Sequence, residues 1–146
     1  MTSRSIADLR RQFYGGGTDV EAAALQAYVD AGYTFTDMLN AGVTLHPVAN
    51  PQAGNYQLAL SDDGKSVEVD SAGGATVTIP PAATVPFRVG TLIEVFQVNV
   101  GQVTITPGAG VTLQSANGLK SSKQFSSVGL RYRGADVWVV SGDVTV

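Results

Sequence analysis

The feature that most constrains this chain is a series of short apolar runs from residue 56 onward: YQLAL (56–60), SVEVD (66–70), TVTIP (76–80), TLIEVFQV (91–98), QVTIT (102–106), VTLQ (111–114), SVGLRY (127–132) and VWVV (137–140). Between them lie stretches rich in glycine and turn-forming residues, among them SDDGK, SAGG, PGAG, SANG, RGAD and SGD. Short strands at this spacing, punctuated by glycine, predict a mainly β fold: an antiparallel β-sandwich or barrel, jelly-roll-like, of about eight strands. Within the runs the side chains alternate. Val103 and Ile105 take one face and Thr104 and Thr106 the other, and Val77 and Ile79 likewise oppose Thr76 and Thr78. Asp63-Gly64, Asn117-Gly118 and Gly142-Asp143 suit tight hairpins. GQVTITPGAGVTLQS (101–115) reads as strand, turn, strand.

Residues 1–43 have a different, helical character. Ser5-Ile6-Ala7-Asp8 has the form of a capping box, Ile6, Leu9 and Phe13 share a helical face, and Gly15-Gly16-Gly17 ends the run. Thr18-Asp19-Val20-Glu21 opens VEAAALQAYVDAG, with Gly32 just past its end. Thr34-Phe35-Thr36-Asp37 caps a third short helix that stops at Gly42. Helices this short are marginal alone and need a surface to bury against. Leu9, Phe13, Leu25, Tyr28, Phe35, Met38 and Leu39 are the candidate interface residues. The Pro/Asn/Gly-bearing stretch LHPVANPQAGN reads as a linker. The expected organisation is therefore a helical anchor or oligomerisation segment at 1–43, a linker at 44–55 and a β domain at 56–146.

Composition narrows the function. Apolar residues make up 44% of the 146, enough to bury a core, but charged residues only 14%. A surface that poor in charge is either built from Ser, Thr, Asn and Gln or covered by a partner. The net charge is −3 and the nine basic residues are scattered, which argues against nucleic acid. With no cysteine, disulfides and thiolate metal sites are excluded. No apolar run approaches the roughly 20 residues of a membrane helix. The N-terminus lacks the apolar core of a secretory signal, so synthesis in the cytosol is expected.

Catalytic constellations are scarce. His46, the single histidine, sits beside Pro47 in the linker, and no nucleophile-elbow sequence is present. Asp62-Asp63-Gly64 reads as a turn and is far from a calcium-loop pattern. Gly15-Gly16-Gly17 has no Walker lysine after it. Glu68 and Glu94 alternate with apolar neighbours and are expected to face solvent rather than each other across a cleft. Trp138 reads as a core anchor. Arg131, Tyr132 and Arg133 form a candidate ligand surface, although strand alternation sends Tyr132 to the face opposite the two arginines. The expectation is a protein that is not an enzyme and needs no cofactor.

The β region resembles a module of tailed-bacteriophage virion proteins: head fibres, capsid decoration proteins and tail-fibre-like proteins. The residues that carry the resemblance are Val77-Thr78-Ile79-Pro80, Phe87, Val89-Gly90-Thr91, Gln97, Gly101-Gln102-Val103-Thr104-Ile105, Gly108-Ala109-Gly110-Val111-Thr112-Leu113, then Val128, Leu130, Trp138 and Gly142-Asp143. The match spans roughly residues 56–144 and leaves 1–43 outside it. It implies a structural virion protein working as a homotrimer and brings no catalytic residue. On this basis the chain is expected to be a capsid decoration or short head-fibre protein on the outer surface of the virion, assembled in the host cytoplasm. Its N-terminal segment would bind the major capsid protein or knit the protomers. The alternative is a tail or baseplate fibre protein that binds a host-surface receptor or glycan, with Arg131, Tyr132 and Arg133 as the contact.

Overall fold

The computed structural model describes residues 30–32 and 48–146. The chain divides into two compact units, 1–46 and 47–146. In the first, Asp30 is helical and Ala31-Gly32 turn out of the helix, with Gly32 at φ +86°. The remaining helical expectations for residues 1–43, the interface residues Leu9, Phe13, Leu25, Tyr28, Phe35, Met38 and Leu39, and His46 lie outside the described residues.

The second unit is mainly β, with eleven short strands in two mixed sheets. In chain order they are β1 (Ala49–Gln52), β2 (Tyr56–Gln57), β3 (Ser66–Val69), β4 (Ala75–Ile79), β5 (Leu92–Gln97), β6 (Val103–Pro107), β7 (Thr112–Gln114), β8 (Lys120–Ser121), β9 (Ser127–Gly134), β10 (Val137–Gly142) and β11 (Val144–Thr145). A single 3₁₀ turn, Leu60–Asp62, precedes β3. The six-stranded sheet runs β1-β3-β5-β9-β10-β7 and the five-stranded sheet β11-β8-β6-β4-β2. Neither sheet closes into a barrel.

This topology corrects the antiparallel expectation. From β1 to β6 the chain alternates between the two sheets, so each strand pairs in parallel with the strand two places later. The pairs are β1–β3, β3–β5, β2–β4 and β4–β6. Every parallel crossover thus passes through the opposite sheet, which takes the place of a crossover helix. Among the described residues the one hairpin between consecutive strands is β9–β10, turned by Ala135 (φ +51°) and Asp136 (φ +57°). Positive φ at both central residues matches the twist of the flanking strands. Asp63-Gly64, Asn117-Gly118 and Gly142-Asp143 are crossings between sheets rather than hairpins.

The stretch 101–115 shows why. Pro107 ends β6, and the Gly108 amide donates to the Ile79 carbonyl at 2.8 Å. A Cβ at Gly108 would meet that carbonyl oxygen at 2.8 Å, closer than real Cβ contacts run. The chain slips past the end of β4 there, Val111 drops into the core, and β7 joins the other sheet against β10. Alternation had identified strands and faces but not partners. The segment read as linker also contains structure: Ala49–Gln52 is β1, in register with Ser66–Val69 despite Pro51, which a sheet edge tolerates.

Buried side chains from both sheets form one cluster, including Val67 and Val69 on β3, Val77 and Ile79 on β4, Val95 on β5, Val103 and Ile105 on β6, and Leu130 on β9. Trp138 on β10 is 1% exposed, edge-on to Phe87 with centroids 5.2 Å apart. It is the core anchor the sequence suggested.

Candidate functional site

Strand β9 separates the three residues expected to form a ligand surface. Arg131 and Arg133 are exposed on the outer face of the six-stranded sheet. Tyr132 points the other way and is 5% exposed. Its ring lies 5.0 Å from that of Trp138, and its hydroxyl accepts the Asp136 amide at 3.2 Å. Tyr132 is therefore a core residue and is removed from the candidate surface. Arg131 stands in a cross-strand row Leu92–Arg131–Val139–Gln114, and Arg133 Nη1 donates to Gln114 Oε1 at 2.7 Å. No carboxylate among the described residues pairs with either arginine.

Asp62 is fully buried, which its Asp-Asp-Gly context did not suggest. Its carboxyl accepts Asn50 Nδ2, the Tyr56 hydroxyl and the Ala59 amide, each at 2.8 Å. Asn50 also donates to the Tyr56 oxygen at 3.1 Å and accepts from Gln52 at 2.9 Å. A buried carboxyl survives only with its acceptor capacity filled. Here it ties β1, on one sheet, to β2 on the other. Burial, and then the hydrogen bond to Asp62, push the Tyr56 hydroxyl above its ordinary 10.0.

A second buried polar join links the sheets through Gln97 on β5 and Ser121 on β8, both 1% exposed. The Ser121 hydroxyl donates to Gln97 Oε1 and accepts the Val103 amide at 2.8 Å. Gln97 Nε2 donates to the Asn99 carbonyl at 2.8 Å.

The outer face of the six-stranded sheet carries the remaining chemistry. Glu94 is exposed, as expected, but held: Ser66 and Ser127 each donate a hydroxyl to one of its oxygens at 2.6 Å. In the next row Glu68, Phe96 and Ser127 stand side by side. Phe96 is half-buried, and the ring of Phe125 lies nearly parallel to it, with centroids 6.5 Å apart and planes 21° off. Phe125 is 64% exposed with φ +69°. No sequence signal marked it, because it sits alone in a polar loop without periodicity.

Among the described residues two surface grooves stand out. One, of about 680 Å³, is lined by residues including Leu113, Gln114, Asn117, Val139 and Ser141. The other, of about 400 Å³, is lined by Asn55, Thr76, Gln102 and Thr104 among others. Neither has a titratable side chain in its wall, so neither offers general acid or base chemistry. Among the described residues no group of three or more His, Asp or Glu side chains is placed to hold a metal ion. No helix among them is long and apolar enough to cross a membrane. No family model matches the chain, and neither does any curated protein with which it was compared.

Proposed function

We propose that this chain is a non-catalytic structural protein of a tailed-bacteriophage virion. In this reading it is a capsid decoration or short head-fibre protein on the outer surface of the shell. Residues 1–43 attach it to the major capsid protein, and it assembles as a homotrimer with the β unit projecting outward. The observation that carries the reading is how the buried polar side chains are used. Asp62, Gln97 and Ser121 are spent on joining the two sheets to each other. That investment serves durability, which a virion surface requires. The region of resemblance, about 56–144, also falls inside the single unit 47–146.

The second reading is a tail or baseplate fibre protein that binds a host-surface glycan. Exposed aromatic and charged side chains on one sheet face favour it. Gold-labelled antibody on intact virions separates the two. Label spread over the head supports decoration of the capsid, and label confined to the tail tip overturns it in favour of the fibre reading. Absence of label from the particle refutes both.

A further inference from the structure

Phe125 is the outlier of the fold. A bulky side chain at φ +69° is rare, because an L-residue there crowds its own backbone. Such a residue persists only where its surroundings over-determine it, and these outliers cluster at binding sites. The loop around Phe125 is over-determined. Its amide donates to the Gln97 carbonyl at 2.8 Å, and the Ser126 amide to the Lys123 carbonyl at 3.1 Å. The Lys123 amide donates to Ser126 Oγ at 3.0 Å, and Gln124 Nε2 to the Val98 carbonyl at 3.1 Å. All of this holds a phenyl ring in solvent.

We propose that Phe96 and Phe125, with Glu94, Glu68 and Ser127, form a binding site for a neutral glycan. The Phe125 ring stacks on that of half-buried Phe96, which leaves the outward face of Phe125 as an apolar platform for the C–H face of a sugar ring. Beside it lies a pre-positioned acceptor. Each Glu94 oxygen takes one serine hydroxyl, which fixes the carboxylate and leaves lone pairs free for sugar hydroxyl donors. Glu68 stands next to Phe96 in the adjacent strand and adds a second acceptor. The same carboxylates select the class of ligand. They repel sialylated or sulfated sugars, and an apolar protein partner would bury them without counter-charges. A neutral sugar supplies the apolar face and the donors together. This site is distinct from the Arg131–Arg133 end of the sheet. It rests on the β unit being presented outward, but not on whether it stands on head or tail.

The test uses the full-length chain. Neutral tetrasaccharides of glucose, mannose, galactose and N-acetylglucosamine are titrated in turn, with a sialylated oligosaccharide as comparison, and binding is followed by amide chemical shifts. Saturable shifts at Phe96, Phe125 and Ser127 with at least one neutral probe are expected. Phe125→Gly relieves the positive φ, so its urea midpoint should equal or exceed the parent's while binding weakens about tenfold or more. Phe125→Trp should retain binding and Glu94→Gln should weaken it. The proposal is overturned if no neutral probe binds, if the sialylated probe binds best, or if Phe125→Gly binds as the parent does. It is also overturned if Phe125→Gly lowers the sedimentation coefficient, which would make the platform a contact between copies. Because binding in solution is independent of virion placement, failure here and failure of immunolabelling are separate results.

Discussion

Removing the Asp62 carboxyl should be among the most damaging single changes in the β unit. Asp62→Ala takes away the acceptor for three donors at a site with no solvent exposure. Asn50 and Tyr56 can still bond to each other and, being half-buried, partly to water. The Ala59 amide is fixed by the backbone and cannot turn away. One orphaned donor costs about 1–3 kcal/mol, and losing hydrogen bonds to a carboxylate adds about 1.5–3 kcal/mol more, for a total near 3–5 kcal/mol. A domain typically has only about 5–15 kcal/mol to lose. The assay is urea unfolding followed by tryptophan fluorescence. Trp138 is the only tryptophan in the chain and lies in the same core, so it reports on this unit. With a denaturant slope near 2 kcal/mol/M, the midpoint should fall by about 2 M. Asp62→Asn keeps one acceptor oxygen and should lose about half as much. A change in Asp62→Ala within about 0.5 kcal/mol, the range of an ordinary surface substitution, would refute the clasp.

Three further outcomes follow from the same geometry. The folded state holds the Tyr56 proton more tightly than the unfolded chain, so this stabilisation is whole below pH 10.0 and lost as pH rises through the raised folded value. Tyr56→Phe should abolish that part of the alkaline decline in urea midpoint. Ser121→Ala orphans both Gln97 Oε1 and the Val103 amide and should cost about 2–4 kcal/mol in the same unfolding assay. Gly142→Ala places a Cβ against the Ser127 carbonyl at φ +101°, where β10 hands over to β11. It should cost about 2 kcal/mol or more and lower the thermal midpoint.

Much of the fold was legible, for a simple reason: burial on one face writes a period of two into the sequence. Each of the eight apolar runs overlaps a strand, and Val77, Ile79, Val103 and Ile105 are buried as their alternation required. β1, β8 and β11 were missed because runs of two to four polar or mixed residues carry no period. Pairing was misread because a glycine turn signals a reversal of direction without naming the sheet the chain enters next. Of the three residues of the candidate surface, alternation places Arg131 and Arg133 outward, where they are exposed, and Tyr132 inward, where it is buried. Asp62 and Phe125 were invisible for opposite reasons. An Asp-Asp-Gly turn gives no hint of which carboxyl turns inward, and a lone aromatic in a polar loop has no neighbours to set its face.

The architecture also changes what an oligomer has to do. Unpaired sheet edges invite aggregation, and a closed trimer would hide them. Among the described residues the four edge strands are β1, β7, β2 and β11, of two to four residues each, and β1 carries Pro51. Edges that short offer little template for pairing with another chain. The low charge has an internal explanation as well. The outer face of the five-stranded sheet pairs Thr76 with Thr104 and Thr78 with Thr106, a half-buried hydroxyl surface with Lys120 beside it. The six-stranded face is different. It concentrates Glu68, Glu94, Arg131, Arg133 and the two phenylalanines, carboxylates and rings towards one end and guanidinium groups towards the other. A partner that reads chemistry rather than shape has that face to read. Substitutions at Phe125 and at Arg131 therefore probe opposite ends of it, and a glycan held by the platform should be lost with the first and kept with the second.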